Sequence, residues 1–183
     1  MGGDHITNDI VQGLHLPLES AELVKNRHGH ASLAEIDPQQ AFAVRPFGHD
    51  RPLHFSQADL VAIIEPRIEE LFILVRQEIK RAACDGLLPA GLVLTGGTSL
   101  LPGIRQIASK VLQLPVRLGQ AEDVRGLVDK LQTPAFSASI GLLQWARMIE
   151  QQDTLDHKTY GGITWPRVGL RKAVEFLYRL LPG

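Results

Sequence analysis

The sequence predicts an α/β fold accompanied by a smaller α+β lobe. Two stretches carry this: an apolar strand closed by paired glycines ahead of a helical pattern, and a short hairpin-like region running into a long amphipathic helix. Leu92, Val93, Leu94 and Thr95 form a continuous apolar or β-branched run, the pattern of a strand covered on both faces. Gly96 and Gly97 end it, and with no Cβ they let another molecule approach the backbone closely. After Pro102, placed to open a first helical turn, Ile104, Ile107, Ala108, Val111 and Leu112 recur at helical spacing. A strand, glycine turn and helix in this order form the usual nucleotide position of an open α/β sheet, although a tight turn alone would also use two glycines.

Composition narrows the function classes. The chain has 183 residues, 44% of them apolar and 21% charged, as in ordinary globular proteins of one or two domains. A net charge of −1 argues against general nucleic-acid binding. The single cysteine, Cys84, excludes an internal disulfide and a cysteine-based zinc module, and its place at the end of an apolar helix reads as buried. Six of the seven histidines precede residue 55, but their spacings match no metal pattern, so no metal site is expected. No apolar run reaches the roughly 18 residues of a spanning helix, and the chain reads as cytosolic.

From the N-terminal end, Gly2, Gly3 and Asp4 form a glycine turn with no strand ahead of it. A first helix follows through Ile10, Val11 and Leu14, with Thr7 as N-cap. Pro17 separates it from a second helix, Leu18 to about Arg27, for which Gly29 serves as a left-handed C-cap. Lys25 on this helix reads as a solvated lysine, with a nucleotide contact as the alternative. Short β-like runs at 41–47 and 52–55, divided by Gly48, His49, Asp50 and Arg51, predict a hairpin or two edge strands. Ser56 and Asp59 then form a capping box for a helix from Ala58 to about Cys84, which Pro66 is expected to bend or split. Val116 to Leu118 is a further short strand. Pro134 opens a last core helix, on which Ala138, Gly141, Leu142, Trp145 and Ile149 share a packing face.

Periodicity lapses from Gln151 to Trp165, predicting a flexible linker over 151–166. Beyond it, on a helical wheel, Leu170, Val174, Phe176, Leu177, Leu180 and Leu181 fall on one arc, and Arg171, Lys172 and Arg179 fall on the other. That composition suits a helix lying in the plane of an anionic membrane surface, or an amphipathic helix docked on the protein itself.

Several of these strings, in order along the chain, resemble the bacterial cell-division FtsA family of the actin-like ATPase superfamily. GGDHITND resembles its second phosphate motif, and Ala21, Glu22, Lys25 and Gly29 its AExxKxxxG helix. IEPR around Arg67, LTGGTSLLPGI, SASIGLLQWA and the basic amphipathic end are similar as well. The resemblance implies the second half of an actin-like (ribonuclease H-like) fold: subdomain 2A from 1–5 and 86–150, subdomain 2B from 6–85, and a membrane-targeting helix over 167–183. It implies that Gly2, Gly3, Asp4, Gly96, Gly97 and Thr98 line one side of an ATP cleft. ATP with Mg²⁺ would belong to the intact protein and would not be held stably by this chain alone, since the first phosphate loop and the acids that hold the magnesium would lie in an N-terminal half. No catalytic residue is implied.

The implied partners are the C-terminal tail of FtsZ, met by Arg67, Arg51 and Arg45, an anionic lipid surface, and further copies in actin-like filaments. The residue-level alternative for Arg67 is an intrahelical pair with Glu69 or Glu70. The implied location is the inner face of the cell membrane at the division site. An actin-like adaptor of the type IV pilus machinery is the alternative, and a sugar-kinase or chaperone-type ATPase is a third reading without a catalytic acid to support it.

Overall fold

The computed structural model describes residues 2–120, 131 and 133–159, with residues 151–159 given as backbone alone. Two compact units are present, Met1–Leu142 and Leu143–Gly183. The first is built on α1 (Gly3–Leu14), α2 (Leu18–His28), the antiparallel pair β1 (Ala41–Val44) and β2 (Leu53–Ser56), and the long helix α3 (Gln57–Arg81). A parallel unit follows, in which β3 (Leu92–Leu94) crosses through α4 (Ile104–Leu112) to β4 (Val116–Leu118), pairing Leu92 with Val116 and Leu94 with Leu118. Helix α5 (Ser137–Thr159) is the last described element.

One apolar core joins these pieces. Ile6, Ile10 and Leu14 of α1, Leu60, Ile64, Ile68 and Phe72 of α3, and Ile104, Ile107 and Leu112 of α4 are buried in it together. The capping box at Ser56 and Asp59 forms as expected: the Ser56 side chain accepts from the Asp59 N–H at 3.0 Å, and Asp59 accepts from the Ser56 N–H at 3.3 Å. Pro66 does not divide α3, which runs unbroken past it. An internal proline costs about 3 kcal/mol, whereas each fully buried Leu, Ile or Phe contributes about 1.5–3 kcal/mol. Leu60, Ile64, Ile68 and Phe72 flank the proline on the core face, so packing outweighs it.

Several local expectations are corrected. Helix α1 begins four residues before Thr7, at Gly3, with Gly2 as N-cap; Thr7 is inside the helix and buried. Gly29 ends α2 in extended backbone at φ −67°, and its lack of a side chain instead lets the Lys25 carbonyl and Leu101 approach. Pro102 precedes α4, whose N-cap is Gly103 at φ 80°. Helix α3 stops at Arg81, leaving Cys84 in the following turn and partly exposed.

Strand β3 is not covered on both faces: Val93 is 45% exposed. An unbroken apolar run records the capacity of a strand to be covered, and here β3 pairs only with β4 among the described residues. The same holds at α5, where Leu142 and Trp145 are exposed while Ile140 is buried. The predicted linker starts as helix, because α5 continues to Thr159 and no glycine or proline interrupts 151–159. The amphipathic segment, including Leu170, Arg171, Lys172, Val174, Phe176, Leu177, Arg179, Leu180 and Leu181, lies outside the described residues. No helix among the described residues is long and apolar enough to cross a membrane.

Candidate functional site

The two glycine segments, more than ninety residues apart in sequence, face one cleft of about 570 Å³. One wall is the first turn of α1, with Gly3 and Asp4. Opposite it stands the turn after β3, with Gly97, Thr98, Leu100, Leu101 and Pro102, and Ile6 of α1 with Glu22, Lys25 and Asn26 of α2 complete the lining. The walls nearly touch at their rim, where a Cβ on Gly3 would lie 2.8 Å from Thr98 Oγ1.

Four of the six residues expected to meet a nucleotide therefore line the cleft, and Gly2 and Gly96 stand one position back as the caps of the two turns. The Gly2 N–H donates to His5 Nδ1 at 3.3 Å, closing the start of α1. Gly96 takes φ 90° and ψ 169°, a region essentially closed to residues with a side chain. Its N–H donates to the Pro134 carbonyl at 2.9 Å, and its carbonyl accepts from Ser99 Oγ at 2.7 Å. The turn is thus fixed from both ends, leaving Gly97 and Thr98 to face the cleft.

The sequence reading missed the role of Lys25, which is no solvated lysine. It is 8% exposed, and its Nζ donates to Glu22 Oε2 at 2.6 Å, Thr7 Oγ1 at 2.8 Å and the Gly3 carbonyl at 3.3 Å. Thr7 Oγ1 in turn donates to Glu22 Oε2 at 2.5 Å, and Asn26 donates to Glu22 Oε1 at 3.1 Å. The i, i+3 spacing of Glu22 and Lys25 was the available signal; the second helix supplying Thr7 and Gly3 was not visible in it. The network ties α2 to the first turn of α1 and places one cation and one carboxylate on the cleft wall.

Burial by itself would raise the Glu22 carboxyl, but the hydrogen bonds from Lys25 and Thr7, the Lys25 charge and the Asn26 bond together hold it below the ordinary value of 4.5. A carboxylate whose folded value is depressed contributes stability above its unfolded value and loses it as pH falls through the folded one. Acid titration of the melting temperature is accordingly expected to show a decline beginning near pH 4.5 and continuing below it, and Glu22→Gln is expected to flatten that part of the profile. An identical profile in the variant would show that Glu22 carries none of it.

The three arginines expected at a partner surface are not equivalent. Arg67 is held by Asp9 of α1, with Nε donating to Oδ2 at 2.5 Å and Nη2 to Oδ1 at 3.0 Å, and Nη1 donates to Glu70. The intrahelical pair with Glu70 was anticipated; Asp9 was not, since it is 58 residues away. The Asp9 hydrogen bond is the main cause raising the guanidinium further above its ordinary value. Arg45 and Arg51 are exposed between β1 and β2, with no ion pair among the described residues.

A parallel β–α–β unit beside a helical and hairpin lobe, with a glycine-walled cleft, defines an actin-like fold of which part is present. The structure matches the crystal structure of MreB5 of Spiroplasma citri bound to ADP with a TM-score of 0.62, covering 87% of this chain and 47% of that one at 14% sequence identity. Within this class, the family model for cell division protein FtsA matches residues 1–141, and the chain belongs to the FtsA family. It is 36% identical over 162 residues to the FtsA of Pseudomonas aeruginosa, covering 88% of this chain and 39% of that protein. The FtsA of Neisseria meningitidis is 39% identical over 150 residues, covering 81% of this chain and 36% of the relative. For the FtsA of Bacillus subtilis the figures are 36% over 146 residues, 80% and 32%. The chain thus spans 32–39% of the length of these relatives.

Proposed function

We propose that the chain is the part of an FtsA-type division protein that supplies one wall of an ATP cleft, receives the C-terminal tail of FtsZ, and attaches to an anionic membrane surface through residues 168–181. The observation that carries the reading is the convergence of Gly3, Asp4, Gly97 and Thr98 with the Lys25–Glu22 pair on one cleft. Backbone N–H groups at a helix start and at a glycine turn suit phosphate oxygens, and the paired cation and carboxylate suit the polar parts of a nucleotide. Magnesium would arrive with the nucleotide, and the chain's own contribution is binding and orientation without turnover.

A tether of this kind needs only weak attachments, because many copies on one polymer multiply them. The membrane attachment would rest on the apolar arc Leu170, Val174, Phe176, Leu177, Leu180 and Leu181, with Arg171, Lys172 and Arg179 near lipid phosphates. The implied location is peripheral, on the inner face of the cell membrane at the division site.

The cleft is tested by titrating the chain with a fluorescent ATP analogue. Weak binding without phosphate release is expected, and Gly3→Val, whose side chain would enter the space beside Thr98 and Lys25, should abolish it. Equal affinity in the variant would overturn the cleft assignment. On anionic vesicles the chain should float and Leu177→Glu should not; flotation by both would refute the membrane segment.

A further inference from the structure

Arg67 is the group on which the reading of α3 as a partner surface depends, and its guanidinium is already engaged. Asp9 meets it through both oxygens, the fork-to-fork arrangement by which an arginine recognises the carboxylate of a bound peptide. The side chains of the pair are 28% and 24% exposed, so the contact lies at the surface within reach of a ligand, and water can rehydrate Asp9 if it lets go. With Glu70 also on the guanidinium, one positive group faces two negative ones. An acidic peptide arriving here meets net negative charge, although a single strong carboxylate receptor lies beneath it.

We propose that Asp9 is an internal competitor for Arg67, and that an acidic peptide docks on α3 by replacing the Asp9 carboxylate on the guanidinium. The inference rests on the reading of the partner given above and adds how that site is regulated. Exchange of one bidentate pair for another yields little net attraction, so wild-type affinity is set by the apolar area the peptide buries. Removing the charge of Asp9 removes the competitor. Asparagine keeps the shape of the contact and one acceptor oxygen, so the helix pair is retained while the guanidinium becomes available.

The test is fluorescence anisotropy of a labelled FtsZ C-terminal tail peptide with the 183-residue chain, at fixed salt, for wild type, Asp9→Asn, Arg67→Ala and the double variant. Asp9→Ala serves as a second neutral variant, and melting temperatures establish that each is folded. Asp9→Asn is expected to bind about tenfold more tightly, an effect at the lower edge of what is measured for close charge pairs at interfaces. Arg67→Ala should bind more weakly than wild type, and the double variant no more tightly than Arg67→Ala. Two results would overturn the competitor while leaving the partner reading intact: unchanged affinity in both Asp9 variants with loss in Arg67→Ala, or the same gain from Asp9→Asn when Arg67 is absent. Absence of peptide binding by wild type and Asp9→Asn alike would remove the partner reading and the competitor together.

Discussion

Replacing Phe72 by alanine is expected to destabilise the fold by about 3–5 kcal/mol, the usual cost of truncating a buried aromatic. Phe72 is 1% exposed on α3 and belongs to the core shared with α1 and α4. Its removal loses the transfer free energy of the ring and leaves a cavity that three helices must close in on at once. For a domain of this size, 1 kcal/mol corresponds to about 2–4 °C in melting temperature, so a shift on the order of 10 °C is expected. Urea denaturation should show a lower midpoint with an unchanged slope, because the surface exposed on unfolding is nearly the same. Leu74, two residues on and 41% exposed, is the control, and Leu74→Ala should cost about 1 kcal/mol or less. Equal effects at the two positions would mean that α3 does not present Phe72 to the core.

The contrast between Phe72 and Leu74 also marks how far the sequence could be read. Periodicity located α3, because a 25-residue helix offers many repeats of one pattern. The capping box, the β1–β2 hairpin and the strand–helix–strand order of β3, α4 and β4 were legible for the same reason: each is specified by residues near one another in the chain. What stayed hidden depends on partners distant in sequence. Lys25 reads as a surface lysine until Thr7 and Gly3 are brought beside it, and Arg67 as an intrahelical pair until α1 delivers Asp9. Burial at β3 and α5 was overestimated from the opposite side of the same ignorance. Apolar letters at Val93, Leu142 and Trp145 state a preference for cover, and cover is a property of neighbours.

Gly103 provides the second large effect, because two independent constraints meet there. Its φ of 80° is open to glycine and costs a residue with a Cβ about 1–2 kcal/mol. A Cβ there would also lie 2.6 Å from His30 Cε1 and 2.9 Å from Nδ1. The ring has little freedom to withdraw, since Nδ1 accepts from the Ser32 N–H at 3.1 Å and the next residue, Ala31, donates its N–H to the Pro102 carbonyl at 2.8 Å. Overpacking of this kind adds about 1–3 kcal/mol. Gly103→Ala is therefore expected to cost about 2–5 kcal/mol, the sum of those two ranges. Gly48 separates the two terms, having φ 75° with open space around it, so Gly48→Ala should show the backbone cost alone. In a double-mutant cycle, His30→Ala should make Gly103→Ala less damaging than it is in the wild type, with a coupling of 1 kcal/mol or more, roughly the range for residues in contact. Additive losses would show that His30 does not set the limit at Gly103. A coupling would establish that the segment after α2 holds the Leu101–Gly103 turn in place, and with it the two residues, Leu101 and Pro102, that this turn contributes to the cleft.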